Sequence, residues 1–378
     1  MRGSKGRSPL LLNMLFEPFT LSNLRLKNRI VRSATYEKRA DEDGFVTESY
    51  IKFYEDLARG GSGLIITGFT LVHPGGRAVK KMASLHSEMY VEGMRRLTER
   101  VHEAGGVIAV QLVHGGRQSP PLLLGGALPA APSPVPDPSS GVTPREMTDP
   151  EIWEIIDAFG EAARRARDSG FDAVQIHGAH GYLISSFLSP HTNRRDDYWG
   201  GDEVRRFHFL EEVYKAVRKS VGSEYPVLIK LNGDDLLPQA GLHPEESLRI
   251  ARRLERLGID AMEISGGMRE SPIRTIRPNI LKPGDEAYFR EIGGLFKKHL
   301  KVPVILTGGM RSRKIMEDVL RKKQADLIGL SRPLIREPDF PRFMLETGKE
   351  RADCISCNKC TNYLEIDKVE CVALLEKG

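Results

Sequence analysis

Eight short aliphatic and β-branched runs recur along the chain, at residues 28–33, 63–67, 107–112, 173–177, 227–231, 261–265, 302–307 and 325–330. Each has the length of a strand buried on both faces, and each is followed by a polar turn and then by a stretch of helical periodicity. Tyr90, Met94, Leu97, Val101 and Ala104 fall on one helical stripe, as do Ile152, Ile155, Ile156, Phe159, Ala163 and Ala166, and again Leu210, Val213, Tyr214, Val217 and Val221. The second stripe opens with Thr148-Asp149-Pro150-Glu151, a capping-box pattern with proline in the first turn. Strands alternating with helices in this way predict parallel βαβ units, and eight units close into a (β/α)8 TIM barrel, with a doubly wound open sheet as the second architecture.

That barrel accounts for most of the 378 residues. A basic, Gly/Ser-rich flexible tail is expected over 1–13, the barrel over 14–345, and a short cysteine-rich extension over 346–378. The tail's apolar stretch is too short for a secretory signal core of about 7–15 residues, so a cytoplasmic protein is expected. No apolar run approaches the roughly 20 residues of a membrane span, so no membrane partner is expected. The balance of 56 basic against 51 acidic residues, with both signs interspersed, argues against a nucleic-acid footprint. Residues 119–147, rich in proline, form a long loop after strand three.

In a barrel of this kind the strand ends and the loops after them form the active-site face. Strand three ends at Gln111, which can donate and accept at once and so suits the edge of a heterocycle. Strand four ends in His177-Gly178-Ala179-His180-Gly181-Tyr182. The two histidines can bind a metal, or can jointly donate to an oxygen that becomes negative; residues 178–188 supply no third ligand, which favours paired donors. Tyr182 is a neutral acid able to supply a proton. Lys230 interrupts an apolar strand, where its charge must serve a ligand or pair with Asp234 or Asp235. Gly308 and Gly309 after strand seven, with Gly329, Ser331 and Arg332 after strand eight, stand where barrels hold phosphate. A phosphate at one end and a hydrogen-bonding ring at the other specify an FMN-like cofactor.

The segments NRIVRSATYE, GLIITGFT, VQLVHGGR, IHGAHGYLISSFLSPHTNRRDDYWGG, ILTGGM and ADLIGLSRPLIREPDFP resemble the old yellow enzyme family of FMN-dependent ene-reductases and NAD(P)H:flavin oxidoreductases, the fourth of them with its His, Tyr, Asn, Arg, Asp and Gly residues at the family's spacing. The resemblance implies that Gln111 and Lys230 contact the isoalloxazine ring and that Ser33 and Ala34 present backbone to it. Gly309 and Arg332 would hold the phosphate, His177 and His180 the substrate carbonyl oxygen, and Tyr182 would be the proton donor. Beside the flavin O4, where the family often has Thr or Cys, this chain offers Thr35 or Tyr36. The implied activity is reduction of the C=C bond of a small enone or enoyl substrate with NAD(P)H, by a homo-oligomer. Loops 119–147 and 266–290 would set the substrate.

All four cysteines lie near the end, as Cys354-x2-Cys357-x2-Cys360-x10-Cys371. Thiols so spaced favour an iron–sulfur cluster or zinc over disulfides. The segment DCISCNKC is similar to the one that carries a [4Fe–4S] cluster in 2,4-dienoyl-CoA reductase and trimethylamine dehydrogenase. That similarity implies a second reading, the catalytic subunit of a dienoyl-CoA reductase or amine dehydrogenase exchanging electrons with a partner. A third reading is a flavin-storing or scaffold protein with zinc in its tail.

Overall fold

The computed structural model describes residues 13–362 and 365–375, so the expected flexible tail lies, but for Asn13, outside the described residues. Eight parallel strands close into a barrel in the order β6-β7-β8-β1-β2-β3-β4-β5. They are β1 (Ile30–Arg32), β2 (Leu64–Leu71), β3 (Ile108–Val113), β4 (Ala173–Gly178), β5 (Val227–Asn232), β6 (Ala261–Ser265), β7 (Val304–Leu306) and β8 (Leu327–Leu330). Each falls on one of the runs read from the sequence.

The crossovers carry α1 (Glu48–Arg59), α2 (Val91–Glu103), α3 (Asp149–Asp168), α4 (Leu183–Leu188), α5 (Glu203–Val221), α6 (Pro244–Leu257), α7 (Arg290–His299) and α8 (Arg313–Arg321); α9 (Arg332–Arg336) and α10 (Phe340–Thr347) follow β8. Helix starts are fixed by side chains that satisfy free N–H groups. Glu151 reaches back to the Thr148 N–H at 2.8 Å, and with Arg145 as its chief partner its carboxyl is held down to about 2. Asp202 caps α5 by accepting from Val204 and Arg205, and Thr47 caps α1 by accepting from Tyr50.

Two apolar regions hold these layers together. Outside the barrel, the stripes of α1, α2, α3 and α5 bury Tyr54, Leu97, Phe159 and Leu210 against the strands. Inside it, Val31, Leu64, Ile66, Leu228, Ile305 and Leu327 fill the lower layers. The antiparallel hairpin Phe19–Leu21/Leu24–Leu26 adds Leu21 and Leu26 to that inner cluster, closing the N-terminal end of the barrel. At the C-terminal end polar side chains stand beside a small apolar cluster of Leu71, Met82 and Val113.

The long loop after β3 is tied down rather than loose. Arg117 donates to the Pro136 carbonyl at 2.9 Å, Arg195 to those of Pro132 and Met147, and a two-residue parallel pair joins Ala130–Ala131 to Arg145–Glu146. The cysteine-bearing segment folds back onto the same end of the barrel. Asn279 N–H donates to the Ser356 carbonyl at 2.8 Å, Val369 N–H to the Glu37 carbonyl at 2.9 Å, and Arg39 to the Val369 carbonyl at 3.1 Å. No helix among the described residues is long and apolar enough to cross a membrane.

Candidate active site

One cavity of about 500 Å³ opens over the C-terminal ends of the strands, within the range of small-molecule and cofactor sites. Ser33, Ala34, Thr35 and Tyr36 line it from β1, Gln111 from β3, and His177, His180 and Tyr182 from β4. Lys230 reaches it from β5, Gly308 and Gly309 from β7, and Gly329, Ser331 and Arg332 from β8. Every catalytic and cofactor-binding residue named from the sequence therefore borders this one space.

Its floor is a buried polar network. Lys230 Nζ lies 3.0 Å from Glu263 Oε1 and donates to Ser33 Oγ at 2.9 Å. Ser33 Oγ in turn donates to Glu263 Oε1 at 2.5 Å. The lysine's partner is thus neither Asp234 nor Asp235, the pairing weighed from the sequence; Asp235 instead accepts from Asn232 and from the Leu242 N–H. Adjacency explains the choice, because β5 and β6 pair in register with Lys230 beside Glu263. On the far side of the carboxylate, Gln175 Nε2 donates to Glu263 Oε2 at 2.8 Å, and Gln111 Nε2 donates to Gln175 Oε1 at 2.6 Å. Glu263 and Gln175 were not singled out from the sequence. The signal was present, since each is a polar residue inside an apolar strand, as Lys230 is.

The two histidines stand beside each other with ring centroids 5.3 Å apart, and the Tyr182 ring lies 4.8 Å from that of His177. The Ala179 N–H donates to His177 Nδ1 at 3.3 Å, so the neutral ring carries its proton on Nε2 and can donate from there. His180 pairs through Nε2 with Ser265 Oγ at 2.7 Å, and its N–H is held by Asn232 Oδ1 at 3.1 Å. Its backbone is left-handed, with φ +63°, which turns the side chain back over the strand ends. Burial, with the nearby Lys230 charge, pulls the His180 imidazole down to about 3; burial, His180 and Lys230 push His177 well below its ordinary value. Both rings are neutral at physiological pH. Burial raises the Tyr182 phenol above 10, opposed by Arg269 and reinforced by Asp137. Ser265 on β6 and Arg269 in the loop after it also line the cavity and were not singled out from the sequence, where the 266–290 loop was named only as a whole.

At the β7–β8 end the backbone itself is exposed to the cavity. Gly308 and Gly309 have φ of +132° and +71°, and a Cβ on Gly309 would stand 2.7 Å from the Tyr288 ring. This cradle accepts only glycine, as expected where backbone approaches a phosphate. Arg332 lines the same end, with Nη1 donating to the Arg277 carbonyl at 2.9 Å and to Asn358. All four cysteines border a second, much smaller cavity, and Arg332, Ser356, Asn358 and Cys360 line both spaces. Arg336 Nη1 lies 3.3 Å from Cys371 Sγ. Among the described residues no three His, Cys, Asp or Glu side chains are close enough together to hold a metal ion.

Comparison with known proteins gives a consistent picture. The model of a family described as NADH:flavin oxidoreductase / NADH oxidase matches residues 14–351. The chain is 38% identical over 346 residues to an NADH oxidase of Thermoanaerobacter brockii, covering 91% of this chain and 52% of that protein. A 2-naphthoyl-CoA reductase solved with 2-naphthoyl-CoA superposes with TM-score 0.87 at 30% identity, over 94% of this chain and 56% of the other. An old yellow enzyme homologue of Zymomonas mobilis superposes with TM-score 0.76 at 29% identity, over 90% of this chain and 95% of the other. The chain thus spans about half the length of the first two of these proteins and nearly all of the third.

Proposed function

Because the chain belongs to the NADH:flavin oxidoreductase / NADH oxidase family, which includes the old yellow enzymes, we propose that it holds FMN over the barrel mouth and uses NAD(P)H to reduce the C=C bond of an α,β-unsaturated carbonyl compound. The observation that carries this reading is the convergence, on one cavity, of a glycine-only cradle, a buried lysine with a glutamine edge, and two neutral histidines beside an undissociated tyrosine. The residues fit FMN. Gly308, Gly309 and Arg332 offer backbone and charge to a phosphate, while Gln111 and Lys230 offer hydrogen bonds to a ring. When bound, FMN supplies two-electron chemistry, taking hydride from NAD(P)H and giving it to carbon.

The protein's own groups do the rest. His177 donates from Nε2 and His180 from the nitrogen not paired with Ser265, and together they polarise the substrate carbonyl and hold the oxygen as it gains charge. Hydride arrives at the β-carbon as the C=C π pair moves toward the carbonyl. Tyr182 passes its proton to the α-carbon, and water returns one to the phenol. His177 is buried and His180 and Tyr182 are half-buried, which limits the access of bulk solvent to the developing oxygen. Small-molecule chemistry fits a cavity of this size, and a homo-oligomeric state is part of the same reading.

A second reading concerns the cysteines. All four border one cavity, and its wall is shared with the FMN space through Arg332, Asn358 and Cys360. Among the described residues no three of the thiols of Cys354, Cys357, Cys360 and Cys371 converge on a single ion, but all four surround one cavity, so the set suits a [4Fe–4S] cluster, whose thiolates stand farther apart, better than zinc; such a centre would exchange electrons with a partner as in a dienoyl-CoA reductase or amine dehydrogenase. One preparation tests both readings. Anaerobically purified protein should show FMN absorbance and consume NAD(P)H only when an enone is added. If the second reading holds, it should also contain about four iron atoms per chain, lost with the broad visible absorbance in Cys371→Ser. A colourless protein inert toward enones defeats the first reading, and a metal-free yellow enzyme defeats the second.

The mouth of the cavity also bears on substrate class. Arg269 is held by the buried Asp137 at 3.0 Å, whereas Arg274 lines the cavity with no ion-pair or hydrogen-bond partner among the described residues. Substrates carrying a carboxylate or phosphate beyond the enone should be preferred. Because Arg274 is exposed, its replacement by Gln should raise KM for such a substrate by only about two- to fivefold. The effect should fade in high salt and be absent for a neutral enone.

A further inference from the structure

Glu263 is fully buried behind the cavity wall, paired with the lining residues Lys230 and Ser33, and the reduction described above assigns it no step. Its surroundings fix more than its own position. An ionised carboxylate only accepts hydrogen bonds, so Gln175 must turn its NH2 group toward Glu263 and its carbonyl oxygen toward Gln111. Gln111 must then turn its own NH2 group toward Gln175. This is the arrangement found, with distances of 2.8 and 2.6 Å. The relay leaves Gln111 Oε1 without a hydrogen-bond partner among the described residues, on a side chain that lines the cavity. The same carboxylate holds Lys230 Nζ at 3.0 Å and Ser33 Oγ at 2.5 Å. Without it, a lysine only 5% exposed would keep a buried charge with no counter-ion, a costly state.

We propose that Glu263 is a positioning residue that acts through Gln175 and Lys230: it sets Gln111 with its carbonyl oxygen toward the ring site and compensates the lysine charge beneath that site. The proposal rests on the reading that the cavity holds FMN. The pyrimidine edge of an isoalloxazine ring carries an N–H between two carbonyl oxygens, and an outward acceptor at Gln111 is matched to that N–H. The compensated lysine keeps the net charge of the floor near zero, so the floor does not by itself pull the bound cofactor toward its anionic reduced form.

Glu263→Gln tests both arms, because the amide keeps the shape, loses the charge and can donate. FMN affinity, read by fluorescence titration, should fall at least tenfold as the relay loses its direction. Reduced FMN should also be favoured over oxidised FMN by about tenfold relative to the wild-type protein, a rise of about 30 mV in midpoint potential for a two-electron couple. Adding Lys230→Met, which removes the uncompensated cation, should bring the potential back toward the wild-type value. Gln175→Met cuts the relay but keeps the ion pair. It should weaken FMN binding while moving the potential less than Glu263→Gln does, and it should add nothing to Gln111→Met, since the relay acts only through Gln111. A folded Glu263→Gln protein with wild-type affinity and potential overturns the proposal. If that variant does not fold, additive losses from Gln175→Met and Gln111→Met overturn it instead. A wild-type protein that binds no FMN overturns this proposal together with the reading beneath it, whereas one that binds FMN with unchanged variants overturns this proposal alone.

Discussion

Replacement of both His177 and His180 by Ala is expected to abolish binding of phenols, which mimic the enolate oxygen of the reaction, and to reduce enone turnover at least 100-fold. In the proposed reaction each ring supplies one donor to the substrate oxygen, and loss of a single such donor costs about 10²–10³ in rate. The pair acts on one atom, so the two losses should not simply add. FMN retention in the double variant separates this effect from a collapsed site. A double variant that still perturbs the FMN spectrum on adding phenol, with wild-type affinity, contradicts the assignment. The same variant carries a signature in stability. Both histidines are neutral in the fold, His180 with its value at about 3 and His177 well below the ordinary 6.5. Below pH 6.5 the unfolded chain binds protons that the folded chain refuses, so stability is present above that pH and is lost as pH falls. Removing each ring should flatten the acid limb of the stability curve by about 1.4 kcal/mol per pH unit. Enone binding by the wild-type protein should be flat between pH 5 and 9, because neither histidine titrates there.

The barrel was legible because its signal is local and repeated. Each strand is an apolar run, each helix a stripe, and closure follows from the number of units. The candidate site was legible where a polar residue stands at a strand end and borders the cavity, as with His177, His180 and Tyr182, or where glycine stands because a side chain cannot fit, as with Gly309. What stayed hidden depends on which strands become neighbours. Lys230 called for an acid, and the nearest in sequence were Asp234 and Asp235, yet the pleat and register of β5 against β6 deliver Glu263. Gln175 joins Gln111 for the same reason, through the pairing of β3 with β4. Ser265 meets His180 across 85 residues of sequence, and no spacing rule reaches that far. The rule that a buried charge must find a partner, applied to Glu263 as it was to Lys230, would have joined the two once β5 and β6 were known to be adjacent.

Tyr182→Phe should separate the two halves of the reaction. The substitution removes one oxygen and keeps the ring that packs against His177 and Phe69, so the cavity retains its shape. Oxidation of NAD(P)H takes no proton from Tyr182, and its rate should stay within about twofold of the wild-type rate, since the rest of the cavity is untouched. Reoxidation by an enone needs a proton at the α-carbon, and loss of a positioned acid should slow it by about 10²–10⁴-fold. Rapid-mixing absorbance measurements of each half-reaction check the split. Equal slowing of both halves would mean that Tyr182 shapes the cavity without delivering the proton. The pH profile gives a second test. A raised phenol is a weak acid and an undissociated one, so the wild-type rate of enone reduction should hold from pH 6 to 9 and fall only above 10, as the phenol ionises. The Arg269 charge, which opposes the effect of burial on Tyr182, is anchored by Asp137. Asp137 belongs to the long loop after β3 and Arg269 to the loop after β6, so the two loops expected to choose the substrate also act on the Tyr182 phenol, the acid of the proposed reduction.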